Sequence, residues 1–168
     1  MFAVGDKVAH PMHGAGVIDQ IVTETVAGST QDYYVFHMPI GGLVLKIPTA
    51  SGELVGLRGV WEAAKSLQFL KELPLLKAEP FTGSWNQRNR EIMEKLKSGD
   101  LYQVAQVIKN LSHRDKEKGL STGERKMLRT AKQILITEMV LSIGQEYRQI
   151  EEQINLLLSG GVQADGAF

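Results

Sequence analysis

At Trp61 the hydrophobic pattern of this chain changes period, and that change constrains the fold more than any other feature. Before it, short apolar runs rich in β-branched and aromatic residues alternate with Gly/Pro punctuation. Val4–Ala9, Val17–Val22 extended by Thr23–Val26, Tyr33–Met38, Leu43–Pro48 and Val55–Val60 each read as a strand. His10-Pro11 interrupts the first strand, since proline cannot donate to a ladder. Gly14 and Gly16 flank Ala15 and suggest a sharp bend or bulge. Ala27-Gly28-Ser29 and Pro39-Ile40-Gly41-Gly42 read as turns. Short strands so divided indicate a small barrel or a strongly twisted sheet.

From Trp61 onward, WEAAKSLQFLKEL carries helical spacing and stops at Pro74. PLLKAEPFTG, with two prolines and a glycine, reads as a linker. Ser84 is a good N-cap for a helix over 85–97, stopped at Ser98-Gly99. Asp100 caps the next helix, which frays into His113–Gly119. Ser121 and Glu124 have capping-box spacing for a third helix reaching about Ser142. Gly144 interrupts, and 146–158 is a last amphipathic helix. The fold class is therefore α+β, a small β unit followed by a compact all-α unit. The expected division is 1–73, a linker over 74–83, a helical domain over 84–158 and a disordered tail over 159–168.

Composition narrows the function. No cysteine is present among 168 residues, which excludes disulfides, thiolate zinc sites and cysteine nucleophiles. No apolar run reaches transmembrane length, and the start lacks a signal-peptide pattern, so a cytoplasmic protein is expected. A net charge of zero hides segregation: residues 85–135 hold twelve Lys/Arg against six Asp/Glu, whereas 136–168 hold one against five. A basic central face suits an anionic partner, although a charged run can equally be a solvated surface.

Trp85 stands at the head of its helix with Arg88 and Arg90 close behind. An aromatic ring beside guanidinium groups suits a nucleic-acid groove, and packing against the preceding linker is the other reading. Arg125, Lys126, Arg129 and Lys132 are further cations available to phosphates. Arg114, Lys116 and Lys118 suit either DNA or a helix C-terminus. His10 and His13 lack a third metal ligand, HGAG lacks the lysine and helix of a phosphate loop, and no serine has a nucleophile-elbow context. No catalytic constellation, metal site or cofactor is expected. Trp61 and Tyr102 read as packing residues.

Several motifs, in order and with consistent gaps, carry a resemblance. They are FAVGDKV at Phe2–Val8, HPMHGAG at His10–Gly16, LVLKIP at Leu43–Pro48, SWNQR at Ser84–Arg88, EKLKSGD at Glu94–Asp100, RDKEKGLSTGERKML at Arg114–Leu128 and AKQIL at Ala131–Leu135. The chain resembles the CarD/CdnL family of bacterial transcription regulators, and its first half is similar to the RNA-polymerase-interacting domain of the transcription-repair coupling factor. The resemblance implies a Tudor-like β domain that docks on the RNA polymerase β subunit. It also implies a helical domain that touches promoter DNA just upstream of the −10 element, with Trp85 as a minor-groove wedge that stabilises the open complex. By the same match Lys46 takes a basic contact position, Val26 an apolar one with Thr25 beside it, and Pro48 closes the strand. Glu24 stands where some relatives have arginine. Read without the family, Lys46 is an outward strand lysine that blunts a sheet edge. The implied protein is a monomeric, nucleoid-associated regulator that is not an enzyme. A protein–protein adaptor without DNA contact is the competing class, and self-association through Ile150, Ile154 and Leu157 is a third.

Overall fold

The computed structural model describes residues 1–159. Five antiparallel strands form one sheet in the order β4-β3-β2-β1-β5. They are β1 (Lys7–His10), β2 (Gly14–Val26), β3 (Ser29–His37), β4 (Val44–Pro48) and β5 (Arg58–Gly59). Five α-helices follow: α1 (Ala63–Glu72), α2 (Trp85–Lys97), α3 (Leu101–Lys118), α4 (Thr122–Met139) and α5 (Tyr147–Leu158). The expected α+β order is thus observed, and the sheet is open rather than closed into a barrel. The tail expected to be disordered lies outside the described residues from 160 onward.

The bend at His10–Gly16 is a hairpin turn. β2 starts at Gly14, three residues before the expected strand, and pairs His10 with Gly14 and Lys7 with Val17. Ala27 and Gly28, at φ 51° and 78°, make the two-residue loop between β2 and β3. Positive φ at both central positions matches the twist that a tight hairpin requires. β3 begins at once, pairing Ser29 with Val26, so it is longer than its apolar run suggested. The last strand shrinks to Arg58 and Gly59, paired with Ala9 and Val8. A register shift between Ile18 and Gln20 marks a one-residue bulge at Asp19.

Two apolar clusters form. Val8, Ile18, Tyr34, Phe36, Met38, Ile47 and Leu57 fill the space under the sheet. The larger cluster unites α2–α5, and Phe69, Leu70 and Leu73 of α1 and its last turn belong to it rather than to the sheet. Full burial of each such side chain contributes about 1.5–3 kcal/mol. The segment after α1 is laid along α3: the Glu79 amide donates to Asn110 Oδ1 (2.8 Å), and Gln106 Nε2 donates to the Lys77 carbonyl (2.8 Å). The expected fraying of α3 does not occur. It stays helical to Lys118, and the Gly119 amide closes the last turn onto the Asp115 carbonyl. Ile150, Ile154 and Leu157 are buried in the helical core, so their face is already occupied.

The sheet and helical units meet along a polar seam on the C-terminal half of α4. Glu138, 1% exposed, accepts from both terminal nitrogens of Arg58 (2.7 and 2.8 Å) and from the Trp61 amide (2.9 Å). Thr137 Oγ1 accepts from the Ala15 amide (2.9 Å) and donates to the Gln133 carbonyl (2.6 Å). Gln133 Nε2 donates to the His13 carbonyl (2.8 Å). Gly14 allows this approach, because a Cβ there would lie 2.4 Å from Thr137 Oγ1 and 3.0 Å from the Gln133 carbonyl. Past α4, Ser142 Oγ donates to the Trp61 carbonyl (2.7 Å).

Candidate functional site

Trp85 is 52% exposed at the first position of α2. Ser84 caps the helix in a reciprocal pair: its hydroxyl accepts from the Gln87 amide, and Gln87 Oε1 accepts from the Ser84 amide. Trp85 shares its stripe with the buried Ile92 and Leu96, seven and eleven residues on, because that spacing returns to one helix face. It is therefore the end of the core-facing stripe, carried past the core into solvent. The ring reaches toward the start of α4, where its Cζ2 lies 3.9 Å from the place a Cβ on Gly123 would occupy. About half of the side chain is left exposed.

Beneath this corner sits Glu124, buried and capping α4 through the Ser121 amide (3.1 Å). Arg114 reaches it from α3 (Nε–Oε2 3.0 Å), which commits Arg114 to the fold. Burial pushes the Glu124 carboxyl upward. The bonds with Ser121 and the guanidinium groups of Arg114 and Arg88 outweigh that and hold it below the ordinary carboxylate value. Lys116 and Lys118 remain exposed in the last turn of α3.

The expected DNA contacts do not share one face. Arg88 is half-buried beside Trp85 and donates to the Gly83 carbonyl (3.3 Å). Arg90 is exposed, but at 100° per residue it points about 140° around α2 from Trp85. On α4, Arg125, Arg129 and Lys132 form an i, i+4, i+7 ridge, exposed except for the half-buried Lys132. That ridge is turned by about 120–180° from Gly123, whereas Lys126, three residues after Gly123, lies on the side that meets Trp85. The structure thus gathers Trp85, Arg88 and Lys126 at one corner. Arg125, Arg129 and Lys132 form a neighbouring ridge, and Arg90 stands apart.

On the sheet, Glu24, Val26, Lys46 and Pro48 share the outer face, because each pairs with the alternate residues Gln31, Ser29, Val35 and Tyr33 of β3. Thr25 points to the opposite face and shares a hydrogen bond with Thr30 (2.9 Å). Lys46 Nζ forms an ion pair with Glu24 Oε1, so the expected basic contact and the departure from arginine neutralise each other. Val26, 62% exposed, and the exposed Val44 flank the pair.

The rings of His10 and His13, at the first hairpin turn, lie 4.4 Å apart between centroids at a 39° tilt, and His10 Nδ1 accepts from the Met12 amide (3.0 Å). Burial, then the neighbouring His13, lowers the His10 pKa to about 4. Among the described residues no group of three or more His, Cys, Asp or Glu could hold a metal ion, and no helix is long and apolar enough to cross a membrane. Trp61 packs edge-on against Phe69 (5.4 Å), and Tyr102 against the same ring (4.9 Å).

The family model described as "CarD, C-terminal domain" matches residues 69–155, just over half of the chain. This chain belongs to the CarD family. A second model, "CarD-like/TRCF RID domain", matches residues 2–60, so the sheet unit is the family's RNA-polymerase-interacting domain. The relative named "Putative transcription factor YdeB" from Bacillus subtilis (strain 168) is 32% identical over 151 residues. The match covers 90% of this chain and 98% of that protein. The solution structure of the 72-residue N-terminal domain of Myxococcus xanthus CarD is 27% identical. It covers 35% of this chain and 79% of its own, with a TM-score of 0.31. The CarD matches frame both candidate surfaces: the first model spans Trp85 and α4, and the second spans Glu24 and Lys46.

Sequence reading passed over Glu124 as more than a cap, and it passed over the seam residues Arg58, Thr137 and Glu138. A signal for Glu138 was present, since it is a lone carboxylate within the apolar run ILITEMVL.

Proposed function

We propose that this CarD-family protein docks the outer face of its sheet on the RNA polymerase β subunit and contacts promoter DNA upstream of the −10 element with its helical unit. The single observation that supports this best is the exposed indole of Trp85, held by a capped helix start beside Arg88 and facing the Lys126 side of α4. Cations at that corner and on the α4 ridge neutralise phosphates, and each contact contributes a salt slope of about −0.9. Such binding is weak and independent of sequence. Docking on polymerase compensates by raising the local DNA concentration to roughly millimolar.

The indole then acts where stacking is already disturbed. Insertion into intact duplex opposes about a few kcal/mol of stacking per step, and at the upstream edge of a melting bubble much of that is already lost. Trp85 therefore favours the open state, and a bias of about 1.4 kcal/mol shifts the open–closed equilibrium tenfold. Glu24, Val26, Lys46 and Pro48 supply the polymerase-facing surface on this reading, with Thr25 at its margin. The protein acts in the cytoplasm, without catalytic chemistry, on DNA that polymerase has already engaged.

The test is open-complex lifetime with the cognate polymerase, comparing wild type with Trp85→Ala. Wild type lengthens the lifetime and Trp85→Ala abolishes most of the extension while polymerase binding is retained. An extension that survives the substitution removes the wedge. No extension from wild type favours an adaptor that never touches DNA.

A further inference from the structure

Among the described residues, α4 touches both the Trp85 corner and the sheet unit. Its first turn meets Trp85 through Gly123, and its second half holds the β1–β2 turn and β5 through Gln133, Thr137 and Glu138. Between Gly123 and Thr137 it is an uninterrupted helix, about 21 Å long at 1.5 Å per residue. Units joined by a modest polar interface are ordinarily free to move against each other. This seam differs because it contains an almost fully buried carboxylate whose bonds reach the sheet unit and the segment after it. Moving α4 off the sheet strands Glu138 without its guanidinium and leaves the buried Ala15 amide without Thr137. A buried, directional ion pair tolerates one arrangement and penalises its neighbours, which is how such pairs specify geometry.

We infer that Glu138 is a positioning residue: with Arg58 and the glycine-opened contact at Gly14 it fixes α4 to the sheet, so that a partner bound on the sheet sets where Trp85 lies. This rests on the proposed reading of Trp85 and the sheet face, but the rigidity itself does not. HPMHGAG, which by sequence is a turn, becomes the socket for α4. Docking and DNA contact are then coupled by fixed geometry, with no conformational signal needed between them.

The chain has no cysteine, so paired spin labels can be placed cleanly at Ser29→Cys in the β2–β3 hairpin and Asn86→Cys in α2 of the full-length protein. Distance distributions by pulsed electron resonance are expected to be narrow in the otherwise wild-type chain. They broaden with Glu138→Ala and with Arg58→Ala, the latter removing the half-exposed partner from the sheet side. Unlabelled Glu138→Ala and Arg58→Ala should bind polymerase as wild type does and lose the extension of open-complex lifetime. A broad distribution in the wild-type background overturns the inference, as does a distribution that stays narrow in the variants. If the distances behave as expected but wild type never extends the open complex, the proposed function fails and the fixed geometry stands.

Discussion

The seam and the outer sheet face each hold a carboxylate–cation pair, Glu138–Arg58 and Glu24–Lys46, and the two differ in nearly every physical respect. Glu138 is buried and accepts three hydrogen bonds from residues 77 or more positions away. Glu24 meets Lys46 in the open, with side chains 38% and 51% exposed. Glu138 has lost its water and depends wholly on its partners, while the Arg58 side chain stays 33% exposed. The second pair keeps most of its hydration and adds little to the fold. Burial marks the pair that builds the molecule, and exposure leaves the other pair accessible to the polymerase surface proposed above. Glu124 stands between them, itself buried at a helix start but paired with an Arg114 side chain that is 27% exposed.

The comparison breaks most easily at Glu138. Replacing it with alanine leaves Arg58 and the Trp61 amide without their acceptor, and about 3–5 kcal/mol of unfolding free energy should be lost. Urea denaturation measures this directly, and a loss no larger than that of an exposed pair would erase the distinction.

Glu124→Ala should have an intermediate effect. It removes a capping-box partner and the anion facing Arg114, for about 1–2 kcal/mol. Because the folded carboxyl titrates below its ordinary value of 4.5, its contribution is full above that pH and fades as the pH falls through the folded value. The gap between wild type and Glu124→Ala in unfolding free energy should therefore narrow below pH 4.5. A gap constant across that window would mean that the carboxylate charge plays no part.

Glu24→Ala should have the smallest effect on folding, within about 0.5 kcal/mol, because the pair is exposed. Its effect belongs to binding: freeing Lys46 should tighten association with an acidic polymerase surface and steepen its salt dependence. Weaker binding would instead mean that the partner reads Glu24 itself.

Much of the architecture was legible because it is local. The change of period at Trp61, the turn at Ala27-Gly28 and the caps at Ser84, Asp100 and Ser121 each follow from residues within a few positions. What escaped was of longer range or of the wrong parity. Simple alternation puts Glu24 on the same face as Ile18, toward the core. The extra residue at Asp19 reverses that and turns Glu24 outward. The charged run after His113 looks like a fraying end, yet Arg114 is tied to Glu124 and His113 to Glu117 at 3.1 Å, and the helix continues. The seam joins residues 122 apart, as at Ala15 and Thr137, and no local pattern announces such a meeting. The split of the basic residues between two helix faces was available in principle from their spacing alone, since Arg90 could not have shared a side with Trp85.

The exposure of Trp85 has an optical consequence. The chain has two tryptophans, and the other, Trp61, is shielded against Phe69 with the Lys65 ammonium 4.3 Å from its ring centroid. With Trp61 changed to phenylalanine, the remaining fluorescence comes from a single indole standing half in water at the corner proposed to meet DNA. Moving that ring from water into a base stack alters both its colour and its brightness. On the proposed function, the protein thus carries a built-in reporter, whose emission would time the arrival and departure of the indole as a promoter opens.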